Sequence, residues 1–345
     1  MLSLVTGSSG LLGSCLTSLL VDRGETPRLV DLVPPRDAAV KRAPGTEFRQ
    51  GDLRDAAFTA AACEGVDTVY HLAALQRMKS HVVQLLEGEI FDANVRATAN
   101  VLEGALRAGV RKVVYISSSG VYGLPRRQPI DESHPVKPIG AYGHSKVESE
   151  KLCRQYLARG LDVTMLRPVS LFGPWMSGVF LLLFEWVRTG RPVFISGRGA
   201  NRVDMASAWD VAEACLLAAA HPESRGEAFN IGSAGVPTVR EQVEALIAHA
   251  GSRSRIVCLP AGLLRNTART LHLVGLSPLV PEHYLLADRE FVLDMSRAKR
   301  MLGWTPRYTN VRMTNEAYDW YLSGWPATRP AGHPMLRLVE RFSGR

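Results

Sequence analysis

The chain has 345 residues, of which 46% are hydrophobic and 21% charged, which is enough for one large or two closely joined domains. Lysine and arginine outnumber aspartate and glutamate by 41 to 33, but these basic residues are dispersed and no basic-aromatic motif for RNA is present. The formal net charge of +8 therefore indicates a solvated surface and argues against a nucleic-acid-binding protein.

The apolar segments and the cysteines limit the class of protein further. A strand-like run begins directly after Met1, which predicts no signal or transit peptide, and Glu185 interrupts the most apolar run before it reaches membrane-spanning length. The five cysteines are scattered and never in C-x-x-C spacing, which predicts neither a zinc site nor a disulfide framework. We therefore expect a cytoplasmic protein with no metal site and no membrane segment.

Short β-branched runs alternate with amphipathic helical patterns through the first half of the chain. This alternation predicts an α/β fold with a doubly wound, parallel Rossmann-type sheet, whose ligand binds outside the carboxyl ends of the strands. The predicted strands are residues 2–6, 28–32, 47–50, 68–72, 112–117, 162–167 and 228–231, and the clearest predicted helices are 11–23, 94–108, 145–158 and 210–220.

The pattern changes after Pro174, where an apolar and then glycine-rich segment begins. From Val239 onward, helical stretches alternate with proline-containing loops. The changes predict a cofactor-binding domain made of residues 1–174 and 207–238, and a smaller, mostly helical C-terminal substrate lobe made of 175–206 and 239–323. Residues 324–345, rich in Pro, Gly and Arg, are interpreted as a tail or an interface arm.

A glycine turn, Gly7-x-x-Gly10-x-x-Gly13, joins the first predicted strand to the first predicted helix. Backbone N–H groups at a helix N-terminus, with no side chains in the way, favour a closely bound pyrophosphate. No Lys-Ser or Lys-Thr follows Gly13, which argues against a P-loop for nucleoside triphosphates. Taken alone, the turn also suits an ordinary connection in a doubly wound sheet.

Asp31 ends the second predicted strand, where the dinucleotide fingerprint places an acidic residue that binds a ribose 2′-hydroxyl. A carboxylate there repels the 2′-phosphate of NADP, so NAD is the favoured cofactor. Arg28 and Arg36 are close to Asp31 in the sequence, so NADP stays as an alternative cofactor. Asp52, after the third strand, is expected to accept a hydrogen bond from the adenine amino group.

The residues expected to carry out the reaction follow the fifth predicted strand. Ser118 follows the fifth strand, and Tyr142 and Lys146 follow it one helical turn apart, so the two share a helical face. An ammonium beside a phenol lowers the phenol pKa from about 10, and a cationic nicotinamide acts in the same direction. Tyr142 is therefore the expected general base for a substrate hydroxyl, with Ser118 holding the same oxygen. His71 is interpreted as a packed structural histidine.

These motifs resemble the extended short-chain dehydrogenase/reductase family, and most of all its NAD-dependent epimerase/dehydratase branch. The resemblance covers residue 1 to about residue 322 and includes Val121-Tyr122-Gly123, Arg167-Pro168 and Asp210-Val211. It implies that Ser118, Tyr142 and Lys146 are catalytic. The NAD site that it implies consists of Gly7, Gly10, Leu11, Gly13, Asp31, Asp52, Leu53, Leu72, Ala73, Ala74, Asn94, Tyr142, Lys146, Pro168 and Val169.

Departures from the family narrow the reaction. In the family that the chain resembles, sugar 4,6-dehydratases have Thr-Asp-Glu at the end of the fifth strand. This chain has Ser118, Ser119 and Gly120 there, so the resemblance argues against dehydration. Decarboxylation is disfavoured too, because the matching glutamate of sugar-acid decarboxylases falls at Gly120. What remains is redox chemistry at a hydroxyl-bearing carbon, transient in an epimerase or net in a dehydrogenase.

The predicted substrate-binding residues are Ser119, Ser170 and Arg202, and they are compatible with two classes of substrate. In the favoured hypothesis, a nucleotide-sugar epimerase, Arg202 pairs with a substrate phosphate. In the alternative, a dehydrogenase or ketoreductase of the 3β-hydroxysteroid dehydrogenase type, Arg202 is a surface residue. Ser170 favours the alternative, because many nucleotide-sugar enzymes resemble Arg-x-x-Asn there and this chain has Arg167 followed by Ser170. The apolar run 179–187 would line a lipophilic pocket or form a buried helix.

Two further expectations concern turnover and assembly. A cofactor-binding regulator without turnover is a third hypothesis, which the intact set of Ser118, Tyr142 and Lys146 argues against. Dimerisation through a helical face is common in the family that the chain resembles. We therefore expect a homodimeric enzyme that binds NAD and a small-molecule substrate, with no nucleic acid and no membrane partner.

Overall fold

Seven parallel strands form the central sheet of the structure, a computed structural model that describes residues 2–35, 45–75, 83–173, 180–273 and 281–324. The strands lie in the order β10-β6-β5-β4-β1-β2-β3. Their bounds are β1 Ser3–Thr6, β2 Arg28–Asp31, β3 Glu47–Gln50, β4 Thr68–His71, β5 Lys112–Ile116, β6 Val163–Pro168 and β10 Ala228–Ile231.

Helices cover both faces of this sheet and continue to the end of the described chain. They are α1 Leu11–Asp22, α2 Ala56–Cys63, α3 Val83–Arg107, α4 Ala141–Ala158, α5 Phe180–Thr189, α6 Ala208–Ala220, α7 Val239–His249, α8 Ala261–Leu273, α9 Pro281–Leu286, α10 Ser296–Leu302 and α11 Asn310–Gly324. Leu4 and Val5, neighbours in β1, enter different apolar clusters because successive strand side chains point to opposite faces. None of the helices in the described ranges is long and apolar enough to cross a membrane.

The direction of winding reverses between β1 and β4. From β1 the chain adds β2 and β3 on one side, and it then returns to place β4, β5, β6 and β10 on the other. In open sheets of this kind, ligands bind outside the carboxyl ends of the strands at the point of reversal. The glycine turn follows β1, and Leu72 and Ala73, which follow β4, lie against it. Strand β5 lies on the far side of β4, with its carboxyl end at the same edge of the sheet.

The seven predicted strands are confirmed to within one residue at each end. Three helices begin earlier than predicted: α3 at Val83 instead of Asn94, α4 at Ala141 instead of Ser145, and α6 at Ala208 instead of Asp210. At the start of α4 the first turn lacks an apolar stripe, and Gly140 provides no side-chain cap as a signal. The correction places Tyr142 inside the helix, on the face that also carries Lys146.

Two small parallel sheets and a third apolar cluster lie in the later half of the chain. Strands β7 (Ser170–Phe172) and β9 (Met205–Ser207) pair, as do β8 (Val193–Ser196) and β11 (Ile256–Leu259), and none of the four was predicted. Helices α5, α7 and α11 pack around β8. Residues 291–304, part of the predicted smaller lobe, contribute to the apolar cluster of α1 and α6. Arg36, residues 174–179 and the predicted tail beyond Gly324 lie outside the described residues.

Candidate active site

The glycine turn is closely packed at two of its three glycines. Gly7 has a φ of +71°, and a Cβ there would lie 2.7 Å from the backbone nitrogen of Ala73. A Cβ on Gly13 would lie 2.2 Å from the carbonyl oxygen of Gly7. Gly10 differs, because its backbone is extended and a Cβ would meet only the Gly7 oxygen, at 3.2 Å. Thus Gly7 and Gly13 shape the turn, and Gly10 leaves room at the mouth of α1.

Asp31 lies at the end of β2, against this turn. Its carboxylate accepts hydrogen bonds from the backbone nitrogen of Ser9 at 2.9 Å and from that of Val33 at 3.3 Å. Arg28, the residue that had left NADP open, points elsewhere: its guanidinium binds Glu47 and the carbonyl oxygen of Ala62, both at 2.8 Å. The Arg28 side chain therefore already has partners away from the turn. The charged group that the second strand places at the turn is the Asp31 carboxylate.

Asp52 and Leu53 follow β3 as predicted. Arg54 binds the Asp52 carboxylate through its side chain, at 2.6 Å for the closest pair of atoms, and its side-chain hydrogen bond is the main cause that lowers the pKa of Asp52. Asp52 also lines an open cavity of about 480 Å³ together with Arg96. Leu53 is buried, and its carbonyl oxygen accepts a hydrogen bond from Asn100 at 2.8 Å. Asp52 therefore keeps an ionised, accessible carboxylate, while the Leu53 side chain belongs to the core.

Asn94 holds the segment after β4. Its side-chain oxygen accepts from the backbone nitrogen of Leu75 at 2.7 Å, and its amide donates to the Leu75 carbonyl oxygen at 3.1 Å and to Ser145 Oγ at 2.9 Å. Asn94 thereby connects α3, the segment Leu72–Leu75 and the first turn of α4. Ala73 and Ala74, within that segment, are partly or fully exposed.

Ser118, Tyr142 and Lys146 are brought together where β5 meets α4. Ser118 precedes a short 3-10 turn, Ser119–Tyr122; its Oγ accepts from the backbone nitrogen of Gly120 at 3.0 Å and hydrogen-bonds the Tyr142 phenol. The Lys146 Nζ lies 5.7 Å from the centre of the Tyr142 ring and donates to the Ile116 carbonyl oxygen at 2.7 Å. Thus a hydroxyl, a phenol and an amine converge on the carboxyl end of β5.

Gly143 explains how α4 approaches so closely. A Cβ at this position would lie 2.9 Å from the Pro138 Cβ and 3.0 Å from the Gly120 carbonyl oxygen. Any larger residue would push the first turn of α4 away from the turn after Ser118. The glycine that follows Tyr142 therefore sets the distance between phenol and serine.

Burial moves the pKa values of the two ionisable groups in opposite directions. It raises the pKa of Tyr142 to about 12, opposed by the hydrogen bond with Ser118, and lowers the pKa of Lys146 to about 7, opposed by Cys153 and Glu150. The expected lowering of the phenol pKa by Lys146 therefore does not hold for the protein alone. Loss of water disfavours the charged form of both groups, and at this separation it outweighs their interaction.

His71 is a structural residue, as the sequence suggested. Its ring nitrogens lie 2.8 Å from Thr6 Oγ1 and 3.0 Å from Thr98 Oγ1, and the side chain is buried. Burial, assisted by the charge of Lys146, lowers its pKa to about 3. A neutral imidazole thus ties the ends of β1 and β4 to α3.

The remaining predicted residues follow β6 or lie beyond it. Pro168 pairs with Ile231 in the sheet and Val169 enters the first apolar cluster, so both shape the end of β6. Ser119 is buried in the 3-10 turn, and Ser170 is exposed. Arg202 lies apart: its guanidinium pairs with Glu290 at 2.5 Å, and its side chain is 50% exposed.

Sequence reasoning missed Glu150 and did not assign Arg167 a role. The two form a buried ion pair directly beneath Ser118, with 2.6 Å between Arg167 Nη2 and Glu150 Oε2. A signal was present, because Glu150 continues the series of Tyr142 and Lys146 at helical spacing, and Arg167 interrupts an otherwise apolar strand.

The residues fit a dinucleotide at this edge of the sheet. No side chain caps the N-terminus of α1, so its first N–H groups are free of side-chain partners, and Gly10 keeps the space in front of them open. The Asp31 carboxylate lies beside the same turn. By contrast, no three metal-ligating side chains converge anywhere in the part of the chain that the structure describes.

Comparison with known proteins agrees with this geometry. Residues 3–232 match the family model described as the NAD dependent epimerase/dehydratase family. The chain is 33% identical over 324 residues to UDP-glucose 4-epimerase of Mycolicibacterium smegmatis, covering 89% of this chain and 94% of that protein. It is 30% identical over 339 residues to 3β-hydroxysteroid dehydrogenase/Δ5→4-isomerase of Mycobacterium tuberculosis, covering 93% and 90%. A double mutant of DesIV, the dTDP-glucose 4,6-dehydratase of Streptomyces venezuelae, solved with NAD bound, has a TM-score of 0.75 at 25% identity and covers 94% of this chain and 98% of its own.

Fold and site together define an NAD-dependent oxidoreductase with a Rossmann-type sheet. Its relatives are epimerases, dehydratases and dehydrogenases. The chain belongs to the NAD-dependent epimerase/dehydratase family of extended short-chain dehydrogenases/reductases.

Proposed function

We propose that this enzyme is a nucleotide-sugar epimerase that oxidises and re-reduces one hydroxyl-bearing carbon. The convergence of Ser118, Tyr142 and Lys146 at the end of β5, beside the glycine turn, carries the proposal. The strand tip holds Ser118, Ser119 and Gly120, with no carboxylate for water loss. The likeness to the mycobacterial UDP-glucose 4-epimerase supports a sugar nucleotide as the substrate.

In this reaction each residue of the site has a defined part. NAD, when bound, accepts the hydride from the substrate carbon and adds a positive charge beside Tyr142. That charge and Lys146 favour the phenolate, so Tyr142 takes the hydroxyl proton as the C–H bond breaks. Ser118 holds the same oxygen by a hydrogen bond. Tyr142 returns the proton when the hydride is delivered to the opposite face of the carbonyl.

We propose Gly7, Gly10, Gly13 and the first turn of α1 as the pyrophosphate site, Asp31 as the ribose ligand and Asp52 as the adenine ligand. The other proposed members of the NAD site are Leu11, Leu53, Leu72, Ala73, Ala74, Asn94, Pro168 and Val169. Hydrogen bonds support an indirect role for Asn94, whose amide is engaged by Leu75 and Ser145.

On the substrate side we propose Ser119 and Ser170, with Arg202 as the phosphate ligand. Arg202 pairs with Glu290, whose side chain is 35% exposed. Exposed ion pairs contribute only about 0–1 kcal/mol, so a substrate diphosphate would displace Glu290 at little cost. Arg202 lies in the smaller lobe proposed for residues 175–206 and 239–323, whereas Ser119 and Ser170 belong to the proposed cofactor-binding domain.

The proposal is tested by incubating the protein and NAD with a panel of UDP- and dTDP-sugars and following the sugar ring protons by NMR. We expect one sugar to approach an equilibrium mixture of epimers while the NADH absorbance of the bulk solution stays flat. Conversion of no sugar in the panel, together with oxidation of a sterol or other lipophilic alcohol, would reject a nucleotide-sugar substrate.

A second candidate is a net dehydrogenase of the 3β-hydroxysteroid type. The Arg202–Glu290 pair favours it, because the arginine already has a carboxylate partner, and so does the exposed Ser170 in place of an asparagine. The relative of Mycobacterium tuberculosis supports the same class. Stoichiometric release of NADH during turnover separates this reaction from epimerisation.

We also propose that the enzyme is a cytoplasmic homodimer. Light scattering coupled to size exclusion measures the assembly directly, and a mass of one chain at micromolar concentration would contradict the dimer.

A further inference from the structure

A buried ion pair connects β6 to the two elements that carry the candidate catalytic residues, β5 and α4. Arg167 donates from Nε to Glu150 Oε1 at 2.8 Å and from Nη2 to Oε2 at 2.6 Å, a bidentate arrangement. Ser117 Oγ donates to the same carboxylate at 2.6 Å. The side chains of Arg167 and Glu150 are 3% and 7% exposed, so the pair is shielded from water and salt.

Each partner is connected to a residue of the site. Glu150 lies on α4, two turns beyond Tyr142 and one beyond Lys146. Ser117 is the residue before Ser118, and Arg167 lies near the end of β6. A single carboxylate therefore connects the helix of the base to the strand that presents the serine.

The network continues through the turn after Ser118 and reaches β10. Arg167 Nη1 donates to the Tyr122 hydroxyl at 3.0 Å, and this hydroxyl donates to Asn230 Oδ1 at 2.7 Å. The backbone nitrogen of Asn230 donates to Glu132 Oε1 at 2.8 Å. Tyr122 ends the 3-10 turn that Ser118 begins, so this turn is held at both ends.

We propose that Glu150 and Arg167 are positioning residues, which hold Ser118 and the face of α4 in register and keep a carboxylate near the Lys146 ammonium. The inference rests on the proposed function of Ser118, Tyr142 and Lys146, and it deepens that function. Neither Glu150 nor Arg167 touches substrate in this scheme, because both are saturated by partners within the protein.

The surroundings of Lys146 support the electrostatic part. The ionisable groups that face Lys146 are Glu150, Cys153 and Tyr142 on α4, Tyr115 on β5 and His71 on β4. Burial raises the pKa values of the Cys153 thiol and the Tyr115 phenol and lowers that of His71, so these groups stay neutral near pH 7. Glu150 is thus the carboxylate that opposes the effect of burial on Lys146.

The first test measures the ionisation of Lys146 without any substrate. Lysine is labelled with ¹³C, the Lys146 signal is assigned from its loss in Lys146→Met, and its titration is followed by NMR in the NAD-bound protein. We expect Glu150→Gln to lower the Lys146 midpoint by about one pH unit. The matched control is Asp162→Asn. Asp162 pairs with Lys112 at a distance of 3.0 Å, where β5 and β6 begin, which is the edge of the sheet opposite the site. It should shift the Lys112 signal and leave Lys146 unchanged.

The second test separates positioning from folding. Removing one partner leaves a buried charge unpaired and destabilises the protein, whereas replacing both with apolar residues is often tolerated. We therefore expect the double variant Glu150→Leu/Arg167→Met to stay folded and to bind NAD. With any substrate that the wild type converts, its kcat should fall about 10-fold or more with little change in KM.

The outcomes are distinct. An unchanged Lys146 titration in Glu150→Gln, or an equal shift in Asp162→Asn, overturns the electrostatic role. Wild-type kcat in the folded double variant overturns the positioning role. If the wild type converts no member of the sugar panel or of the alcohol panel, the proposed function fails, and the lysine titration still decides the electrostatic role.

Discussion

Tyr142 and Lys146 lie one turn apart on α4. Burial raises the pKa of Tyr142 and lowers the pKa of Lys146, so it favours the neutral form of both side chains. The protein alone therefore provides a phenol and, near pH 7, a partly deprotonated amine. A positive charge next to Tyr142 favours the phenolate, and oxidised NAD carries such a charge. The strength of the base thus depends on the cofactor as well as on Lys146.

Replacing Tyr142 with phenylalanine tests the base directly. Because the phenol is expected to act in proton transfer and not in holding the dinucleotide, Tyr142→Phe should lower turnover about 100-fold or more while NAD binding is largely retained. Turnover and NAD affinity are measured on the same preparation. Tyr156→Phe is the matched control, since its hydroxyl donates to Glu103 at 2.9 Å away from the site. Equal turnover in wild type and Tyr142→Phe would remove Tyr142 from the mechanism.

His71 makes acid stability a second test at this scale. Its pKa is about 3 in the fold and 6.5 as the ordinary value, so between these limits the unfolded chain binds a proton that the folded chain does not. The free energy of unfolding should therefore fall as pH drops through this window, by about 1.4 kcal/mol per pH unit from this residue. Urea unfolding at several pH values measures the slope.

The variant His71→Gln should flatten that slope. The control His249→Gln should not, because His249 is a partly exposed residue that pairs with Asp319. An identical pH dependence in wild type and His71→Gln would show that His71 is not buried as a neutral imidazole.

At the scale of elements, the glycines of the turn are expected to have different roles, Gly13 in folding and Gly10 in NAD binding. Gly13→Ala would place a Cβ 2.2 Å from the Gly7 carbonyl oxygen, which the turn has no room for. Gly10 has φ −77° and ψ 173°, which alanine adopts freely. A Cβ at Gly10 would meet the Gly7 carbonyl oxygen at 3.2 Å, a close contact but a much looser one than at Gly13. We therefore expect the glycine at this position to serve the proposed approach of a phosphate to the backbone.

We expect Gly10→Ala to weaken NAD binding about 10-fold or more, which corresponds to about 1.4 kcal/mol. Its melting temperature without NAD should fall much less than that of Gly13→Ala, which should be lowered with or without NAD. Thermal unfolding and isothermal titration with NAD measure both effects. Unchanged affinity in Gly10→Ala would place the pyrophosphate elsewhere.

The buried strands of the central sheet were predictable because they are continuous apolar runs between turn residues. The convergence of Ser118, Tyr142 and Lys146 was predictable from position, since Ser118 follows a strand and Tyr142 and Lys146 share a helix face. The pairing of Glu150 with Arg167 was not predictable, because it depends on contacts between α4 and β6, although each residue by itself stands out in the sequence. The strands β7, β8, β9 and β11, of three or four residues each, form small sheets outside the alternation of strands and helices on which the prediction rested.

At the scale of the whole molecule, a segment late in the chain packs beside the first helix. Residues 291–304 enter the cluster that α1 and α6 form on one face of the sheet. Trp304 is 1% exposed there and donates from Nε1 to the Asp210 carbonyl oxygen at 2.9 Å. We therefore expect the proposed NAD site at the N-terminus of α1 to depend on residues far along the sequence.

Trp304→Ala tests that dependence. Removing a buried tryptophan costs about 3–5 kcal/mol, and here the loss falls on the cluster behind α1, whose N-terminus faces the proposed pyrophosphate site. We expect a lower free energy of unfolding and a smaller stabilisation by NAD in the same thermal scan. Phe184→Ala, in the separate cluster around β8, is the matched control and should lower stability while NAD still stabilises what remains folded. If both variants respond to NAD alike, residues 291–304 do not support the cofactor face, and their contact with α1 serves stability alone.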